Sequence, residues 1–409
     1  MKFAHLSDCH IGSWKDPKLR NISTIAFLKA IDLCIEKRVD FILICGDLFD
    51  TSLPAMDLLK EVVAKFKQLK DLDILVYIIA GSHDYSPSGK TMIDVIENAG
   101  LFINVCKGKV IDNKLHLKFT IDRKTGAKIT GLLGKKGQLE RSFYENLYKD
   151  NLESESGFRI FMFHSGINEF KPEDLSEMDS SPLSLLPKGF NYYAGGHIHY
   201  VLQKKEKDYG LIAYPGPIFP NNFRELEKLE KGGFYIYEDG VLSWEPIQIY
   251  ALFKISVDCS ALSIQDVEKR IMDQIISKEF INTIVTIRLY GKLLSGRPSD
   301  INYREIFQEI YNKSAYFVMK NTAKLISPEF DSINVEIKSA QDIEDSIINE
   351  HLGQFKLENV SIDSEKKLIK ELMTLLSQER KEGERLVDFE KRIKEETERL
   401  FEELNVDIK

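Results

Sequence analysis

The chain has 409 residues, of which 43% are hydrophobic and 29% charged. These values exclude a disordered or collagen-like chain, and the length predicts more than one domain because single cores seldom grow beyond about 250–300 residues. The formal net charge of -8 excludes a generally polycationic protein, so any site for a polyanion must be local. Five scattered cysteines and the lack of a long apolar segment favour a soluble cytoplasmic protein with reduced thiols and no membrane span, associated with the nucleoid if prokaryotic.

Strands and helices alternate along the first part of the chain. The continuous apolar run Phe41–Cys45 predicts a buried strand, and the segments Ile22–Lys37 and Ala55–Leu69 have helical spacing of their apolar residues. Such alternation is typical of a layered α/β fold, in which a buried β-sheet core is flanked by helices. Residues 1–248 are therefore predicted to form the first domain.

The pattern changes after residue 248. Residues 249–339 have a β-α-β-α-β order, from a strand at Phe253–Val257 to one at Ala315–Val318, which predicts a small α/β capping domain. Residues 340–409 contain 12 basic and 19 acidic residues, and this acidic segment is predicted to be a helical tail. Its amphipathic stripes comprise Leu368, Leu372, Leu375 and Leu376, then Leu386, Phe389, Ile393, Leu400 and Leu404. The tail either packs on its own body or binds a partner.

Aspartate and histidine residues follow five of the predicted strands. The segments are Ser7-Asp8-Cys9-His10, Gly46-Asp47-Leu48-Phe49-Asp50, Gly81-Ser82-His83-Asp84, Phe163-His164 and Gly196-His197-Ile198-His199. A single aspartate at a strand end is commonly a helix cap, and a single histidine is commonly structural. Because the carboxyl ends of strands in an open α/β sheet meet in one crevice, five such segments together predict a binuclear metal centre.

The ordered set of motifs resembles the signature of the calcineurin-like metallophosphoesterases and covers about the first 200 residues. The Gly46–Asp50 segment, the Tyr214-Pro215-Gly216 turn, the capping domain and the charged tail further resemble nucleases of the SbcD type, which act in DNA double-strand-break repair. The resemblance implies the layered metallophosphoesterase fold and the metal-dependent hydrolysis of phosphodiester bonds in DNA.

The resemblance also implies a role for each motif residue. Asp47 would bridge two metals, with His83 as the catalytic histidine and Asp84 orienting it. The other ligands of the first metal would be Asp8, His10 and His199, and those of the second would be His164 and His197. Asp50 would support the ligands without binding a metal directly. Mixed imidazole and carboxylate ligands suit manganese, iron or zinc better than magnesium, and the resemblance implies manganese.

Ser82 departs from the family pattern, which has asparagine before the catalytic histidine as a ligand of the second metal. A hydroxyl group is shorter and is a weaker neutral ligand than an amide oxygen. We therefore expect the second metal to be bound more weakly at this position, unless the serine simply replaces the ligand.

A basic segment lies between Lys107 and Arg141, with ten basic and three acidic residues. Such a cluster can bind a phosphate backbone without reading bases, which is typical of a sequence-tolerant nuclease. The candidate DNA-binding residues are Arg123, Lys124, Lys135 and Lys136. The alternative is a solvated hairpin.

The resemblance implies two protein partners. The C-terminal helices would bind an SMC-like coiled-coil ATPase of the SbcC type, and the helices Ala55–Leu69 and Met92–Asn98 would pair in a homodimer. Two other functions stay open: a phosphatase or cyclic-nucleotide phosphodiesterase of the same fold, and a catalytically impaired scaffold, for which Ser82 is the only support.

Overall fold

A computed structural model describes residues 1–86, 91–135, 137, 139–171, 180–327, 345, 347–349, 351–352, 360–378, 380, 384 and 386–403. The chain divides into two compact units, Met1–Ile249 and Tyr250–Lys409. The predicted boundary at residue 340, between capping domain and tail, lies outside the described residues and stays a prediction. Among the described helices, none combines the length and apolar character that crossing a membrane requires.

The first unit contains most of the strands. They are β1 (Lys2–Leu6), β2 (Phe41–Cys45), β3 (Leu75–Ile79), β4 (Ile103–Asn104), β5 (Gly108–Ile111), β6 (Lys114–Leu117), β7 (Thr120–Ile121), β8 (Lys128–Leu132), β9 (Arg159–His164), β10 (Tyr192–Gly196), β11 (Leu202–Lys205), β12 (Leu211–Tyr214), β13 (Gly232–Glu238) and β14 (Val241–Ile247). Its helices are α1 (Ile22–Glu36), α2 (Met56–Asp71), α3 (Met92–Asn98), α4 (Arg141–Glu145), α5 (Asp150–Glu153) and α6 (Phe223–Leu229). Short 3-10 turns lie at Asn168–Phe170 and Leu183–Leu185.

Two six-stranded sheets form the centre of this unit. One has the order β14-β13-β1-β2-β3-β4, and the other has the order β11-β12-β10-β9-β8-β7. Strands β1 to β4 are parallel, as are β8, β9, β10 and β12, whereas β13 and β14 of the first sheet and β7 and β11 of the second pair antiparallel. The core between the sheets joins Leu43 and Tyr77 of the first to Met162 and Ala194 of the second.

Helices cover the outer face of the first sheet. In α2, Leu58, Val62 and Phe66 are buried at a spacing of four residues, which places them on one face. Phe66 meets Phe27 of α1 with ring centroids 5.7 Å apart. The predicted layered α/β fold is confirmed, but its core is a pair of stacked sheets and not the single sheet that we expected.

The second unit begins with a three-stranded parallel sheet, β15 (Ala251–Asp258), β16 (Thr283–Lys292) and β17 (Phe317–Ile326), with helices α7 (Ile264–Ile275) and α8 (Tyr303–Asn312). The predicted β-α-β-α-β order is therefore present. The last strand is much longer than the predicted Ala315–Val318. Because β17 is at the edge of this sheet, its exposed positions accept polar residues such as Lys320 and Lys324, and a search for apolar runs therefore misses most of the strand.

The tail contains α9 (Ile362–Leu376) and α10 (Leu386–Glu403), which pack against each other. Leu368 and Leu400 of the predicted stripes are buried, but Leu376 of the same stripes is 66% exposed. Leu404 lies outside the described residues. The hairpin therefore buries only part of its apolar surface within the described residues.

Candidate metal centre

The predicted metal-binding segments meet at one edge of the stacked sheets. Asp8 follows β1, Asp47 follows β2, Ser82 follows β3, and His164 is the last residue of β9. His197 follows β10, which is the parallel neighbour of β9. Since β1, β2 and β3 are also parallel neighbours, their carboxyl ends lie side by side, as the sequence predicted.

The backbone at this edge has an unusual conformation. Asp8, His10, Asp47 and His197 have φ angles of 50°, 41°, 51° and 85°, in the left-handed region that few non-glycine residues adopt. Hydrogen bonds hold the two loops together, because the backbone N–H of Asp8 donates to Gly46 O at 3.1 Å and that of His10 donates to Asp47 O at 2.9 Å. Such clustered backbone strain is common at functional sites.

Glycines permit the close approach of these loops. A Cβ atom on Gly81 would lie 2.2 Å from Oδ1 of Asp47, and one on Gly196 would lie 2.0 Å from the carbonyl oxygen of Cys45. Neither contact is possible for a larger residue without moving the backbone. The glycines of these two motifs therefore serve packing around the site.

Four side chains form the first group of potential ligands. Nε2 of His10 lies 3.3 Å from Nε2 of His199 and 3.6 Å from Oδ2 of Asp47. Nε2 of His199 lies 3.6 Å from Oδ1 of Asp8. Two imidazole nitrogens and two carboxylates therefore converge, and their role as ligands of the first metal stays a prediction.

The second group centres on Asp47 and His164. Nε2 of His164 lies 3.2 Å from Oδ2 of Asp47 but makes no well-directed hydrogen bond within the described residues, although it is buried. His197 lies beside His164 with ring centroids 5.1 Å apart, and its backbone N–H donates to Oδ1 of Asp8 at 3.0 Å. Ligand atoms of Asp8, Asp47 and His164 lie within 4.8 Å of one another, a close cluster that does not include His197.

In His10, His164 and His199, the ring nitrogen opposite the candidate metal site contacts a protein oxygen. Nδ1 of His10 lies 3.3 Å from Oδ1 of Asp50, and Nδ1 of His164 lies 2.8 Å from the carbonyl oxygen of Cys45. Nδ1 of His199 lies 3.0 Å from Oε1 of Glu225. Contacts of this kind fix the ring and direct the other nitrogen to a metal. Sequence reasoning missed Glu225, for which the only signal is its place three residues after the helix cap Asn222.

The electrostatics of the site favour bound cations. Although burial opposes ionisation, the neighbouring histidines hold the pKa of both Asp8 and Asp47 well below the usual range. Burial also opposes protonation of His164 and His199, but Asp47 raises the pKa of His164 to about 9, and Asp8 with Glu225 raises that of His199 to about 10. Burial and the charge of His164 lower the pKa of His197 to about 4. A divalent cation would displace the protons that these carboxylates otherwise stabilise on His164 and His199.

The expected pairing of His83 with Asp84 is wrong. The carboxylate of Asp84 accepts hydrogen bonds from the backbone N–H groups of Gly81, Leu48 and Phe49, at 3.0 to 3.1 Å. Nδ1 of His83 instead lies 2.9 Å from the carbonyl oxygen of Asp50 and 3.6 Å from its Oδ1. Asp84 therefore fixes the loops of the second and third motifs, while Asp50 holds the histidine.

Burial, together with the charge of Asp47, raises the pKa of Asp84 to about 6. Ser82 is 8% exposed, and its hydroxyl group lies 3.4 Å from Oδ2 of Asp47, so the hydroxyl is within reach of the second ligand group.

Several residues of the basic segment form ion pairs with acidic residues outside it, which reduces the charge available to a ligand. Lys107 pairs with Glu97 at 2.9 Å, Arg141 with Glu145 at 2.9 Å and Lys124 with Asp73 at 3.6 Å, and Lys128 pairs with Glu155. Arg123 is exposed, and Lys136 lies outside the described residues.

Lys135 differs from these residues. Its ammonium group has no acidic partner within the described residues and lies 4.3 Å from the ring centroid of Phe143 and 5.1 Å from that of Tyr85. The preceding residue, Gly134, packs so tightly on His164 that a Cβ atom would lie 2.5 Å from its Cδ2. The backbone that precedes Lys135 therefore lies against a candidate metal ligand.

Residues 1–201 match the family of calcineurin-like phosphoesterases. The predicted resemblance is therefore confirmed for the part of the chain that contains all the convergent ligands. The donor set fits that family, because its carboxylates and imidazoles converge and a buried imidazole nitrogen lacks a well-directed hydrogen bond.

Similar proteins share most of the chain's length. Several relatives carry the name DNA double-strand break repair protein Mre11. The protein from Methanococcus maripaludis is 28% identical over 76% of this chain and 79% of its own length, and that from Methanocaldococcus jannaschii is 28% identical over 83% and 87%. The protein from Archaeoglobus fulgidus is 24% identical over 98% of this chain and 95% of its own length.

Fold, site and similarities together define the class of the protein. The first unit carries a calcineurin-like metallophosphoesterase domain, whose family works with divalent metal ions. The chain is an enzyme that hydrolyses phosphodiester bonds.

Proposed function

We propose that the protein is a metal-dependent DNA nuclease that acts in double-strand-break repair. The observation that carries the proposal is the extent of the similarity. The relatives named as DNA double-strand break repair proteins match up to 98% of the chain, including the second unit and the tail. A phosphatase for small substrates would need only the catalytic domain.

The ligand set suits two divalent ions, which we expect to be manganese. Asp8, His10 and His199 would hold one ion, His164 and His197 the other, and Asp47 would contact both. Ser82 would contribute a hydroxyl group to the second. Two ions bound there would neutralise phosphate charge and activate water for in-line attack.

The role of His83 follows from its hydrogen bond. Because Nδ1 is next to the carbonyl oxygen of Asp50, it carries the proton in the neutral ring, and Nε2 makes no hydrogen bond within the described residues. With a side chain that is 38% exposed, His83 can reach a bound substrate. Once protonated on both nitrogens, it would donate from Nε2 to the leaving sugar oxygen.

The choice of substrate tests the proposal directly. We expect the full chain, supplied with manganese, to cleave an end-labelled DNA duplex and a labelled single strand. The small diester bis-p-nitrophenyl phosphate serves as the parallel substrate. Hydrolysis of the small diester without any cleavage of DNA would favour the phosphodiesterase alternative, and no activity on either substrate would favour the scaffold.

Lys135 is the described basic residue that we expect to contact DNA next to the reacting phosphate. Replacing Lys135 with glutamate should weaken DNA binding and reduce the slope of log affinity against log salt concentration by about one, since one phosphate contact is lost. Hydrolysis of bis-p-nitrophenyl phosphate should be unchanged.

A suitable control is Lys67→Glu. Lys67 is exposed near the end of α2, which leads to the start of β3, and so lies towards the opposite edge of the sheet from the site. Equal losses of DNA affinity in both variants would contradict a local contact, as would an equal loss of diester hydrolysis in Lys135→Glu. Arg123, Lys124 and Lys136 stay candidates for weaker contacts further along the strand.

A homodimer is the second part of the proposal. Met56 at the start of α2 and Val95 in α3 are 73% and 60% exposed, and the backbone N–H of Met92 donates to Ser52 O at 3.1 Å, which holds the two helices near each other. A two-fold axis through this apolar surface would bury it. Light scattering should show a dimer that Val95→Glu dissociates, and a wild-type monomer at micromolar concentration would contradict the proposal.

The tail is proposed to bind an SMC-like coiled-coil ATPase of the SbcC type. Its two packed helices leave Leu376 and Val387 exposed, at 66% and 72%, in a surface that is otherwise highly charged. Apolar residues of this kind suit a helical partner. Deleting residues 361–409 should abolish binding of the ATPase while DNA cleavage by the free chain persists, and retained binding would contradict this assignment.

A further inference from the structure

The outer ring nitrogen of His199 contacts a carboxylate that lies outside the sequence motifs. Nδ1 of His199 lies 3.0 Å from Oε1 of Glu225, and the two side chains are 22% and 21% exposed. Nε2 of the same ring lies 3.3 Å from Nε2 of His10 and 3.6 Å from Oδ1 of Asp8. The two nitrogens of one ring therefore face the carboxylate and the candidate metal site.

The carboxylate of Glu225 is itself held in place. Oε2 accepts a hydrogen bond from the backbone N–H of Asn221 at 3.0 Å, and Oε1 accepts one from Nδ2 of Asn222 at 2.7 Å. The backbone N–H of Glu225 donates to Oδ1 of Asn222 at 3.0 Å, in the first turn of α6. These three bonds fix Glu225 before any metal binds.

We propose that Glu225 is a positioning residue that fixes the proton of His199 on Nδ1 and thereby sets the affinity of the first metal site. The inference rests on the proposed role of His199 as a ligand. A hydrogen bond from Nδ1–H to the carboxylate leaves the lone pair of Nε2 directed at the metal and increases its basicity. Loss of such a partner typically lowers metal affinity by about 10- to 100-fold.

Calorimetric titration of the full chain with manganese tests this role. We expect Glu225→Ala to weaken one of two binding events by about 10- to 100-fold. The other event should be unchanged, because Nδ1 of His164 is held by the carbonyl oxygen of Cys45. Glu225→Gln keeps an oxygen that can accept the bond, so its affinity should lie within a few-fold of wild type.

Glu227→Ala is the matched control. It removes a carboxylate from the same helix, α6, but leaves Glu225 with its hydrogen bonds and its contact with His199. If Glu227→Ala weakened manganese binding as much as Glu225→Ala, the effect would come from the helix and the proposal would be overturned.

Unchanged affinity in Glu225→Ala would also overturn the proposal. A wild-type chain that binds no manganese would instead contradict the proposed function itself, and this inference with it. The two failures are therefore distinguishable.

Discussion

Asp47→Asn is expected to lower manganese-dependent DNA cleavage by about 1,000-fold or more. Asp47 contacts the candidate ligands of both groups, with Oδ2 lying 3.2 Å from Nε2 of His164 and 3.6 Å from Nε2 of His10. Losing its charge would weaken both ions. The ions contribute several kcal/mol to stabilising the transition state, and about 4 kcal/mol corresponds to a factor of about 1,000 in rate.

Asparagine is chosen because it keeps an oxygen in the same place. Oδ1 of Asp47 accepts a hydrogen bond from the backbone N–H of His83 at 2.7 Å, and an amide oxygen can preserve it. Calorimetry should show that Asp47→Asn loses manganese binding, while circular dichroism shows an unchanged fold. Asp32→Ala, at an exposed residue of α1, is the control and should behave as wild type. Full manganese binding by Asp47→Asn would contradict its place between the two ions.

His83→Gln should separate catalysis from metal binding. If His83 donates a proton to the leaving sugar oxygen, its loss lowers DNA cleavage by about 100- to 10,000-fold. Hydrolysis of bis-p-nitrophenyl phosphate should fall much less, because nitrophenolate leaves readily without a proton. Rates on both substrates, measured at saturating manganese, check this difference.

The control for His83→Gln is His116→Gln. His116 is in β6, where its ring stacks on Tyr148 with centroids 4.3 Å apart, outside the candidate site. Manganese affinity should be the same in wild type and in both variants. Equal losses on DNA and on the nitrophenyl ester would rule out the proton-donor role, and a loss of manganese binding would make His83 a ligand.

The convergence of the site residues could be predicted from the sequence, because these residues come just after predicted strands. Asp8 and Asp47 directly follow short apolar strands, and neighbouring parallel strands end at one edge of a sheet. The stacking of a second sheet also brings His164 to this edge. The five motifs therefore lie at one edge of the sheets, although the sequence did not show that two sheets were involved.

The partners of these residues could not be predicted, because they depend on side-chain direction and on packing between distant segments. Asp84 is next to His83 in sequence, yet its carboxylate turns to the backbone N–H groups of Leu48 and Phe49. Glu225 reaches His199 only because α6 returns to the site after β12. A search for motifs at strand ends cannot find such a residue.

The charge of the basic segment was overestimated for the same reason. Lys107 and Lys124 pair with Glu97 and Asp73, which precede the segment in the chain. A count over the segment alone misses these partners. Lys135 keeps its charge without an acidic partner in the described part of the chain, and this makes it the sharpest test of the DNA contact.

The central claim is that five strand ends build one binuclear metal centre, and anomalous diffraction from crystals grown with manganese tests it most directly. We predict two peaks, one among Asp8, His10 and His199 and one beside His164, with the carboxylate of Asp47 contacting both. The second peak should be weaker at limiting manganese if Ser82 is a poorer ligand than an amide. A single peak, or ions bound elsewhere on the chain, would contradict the account.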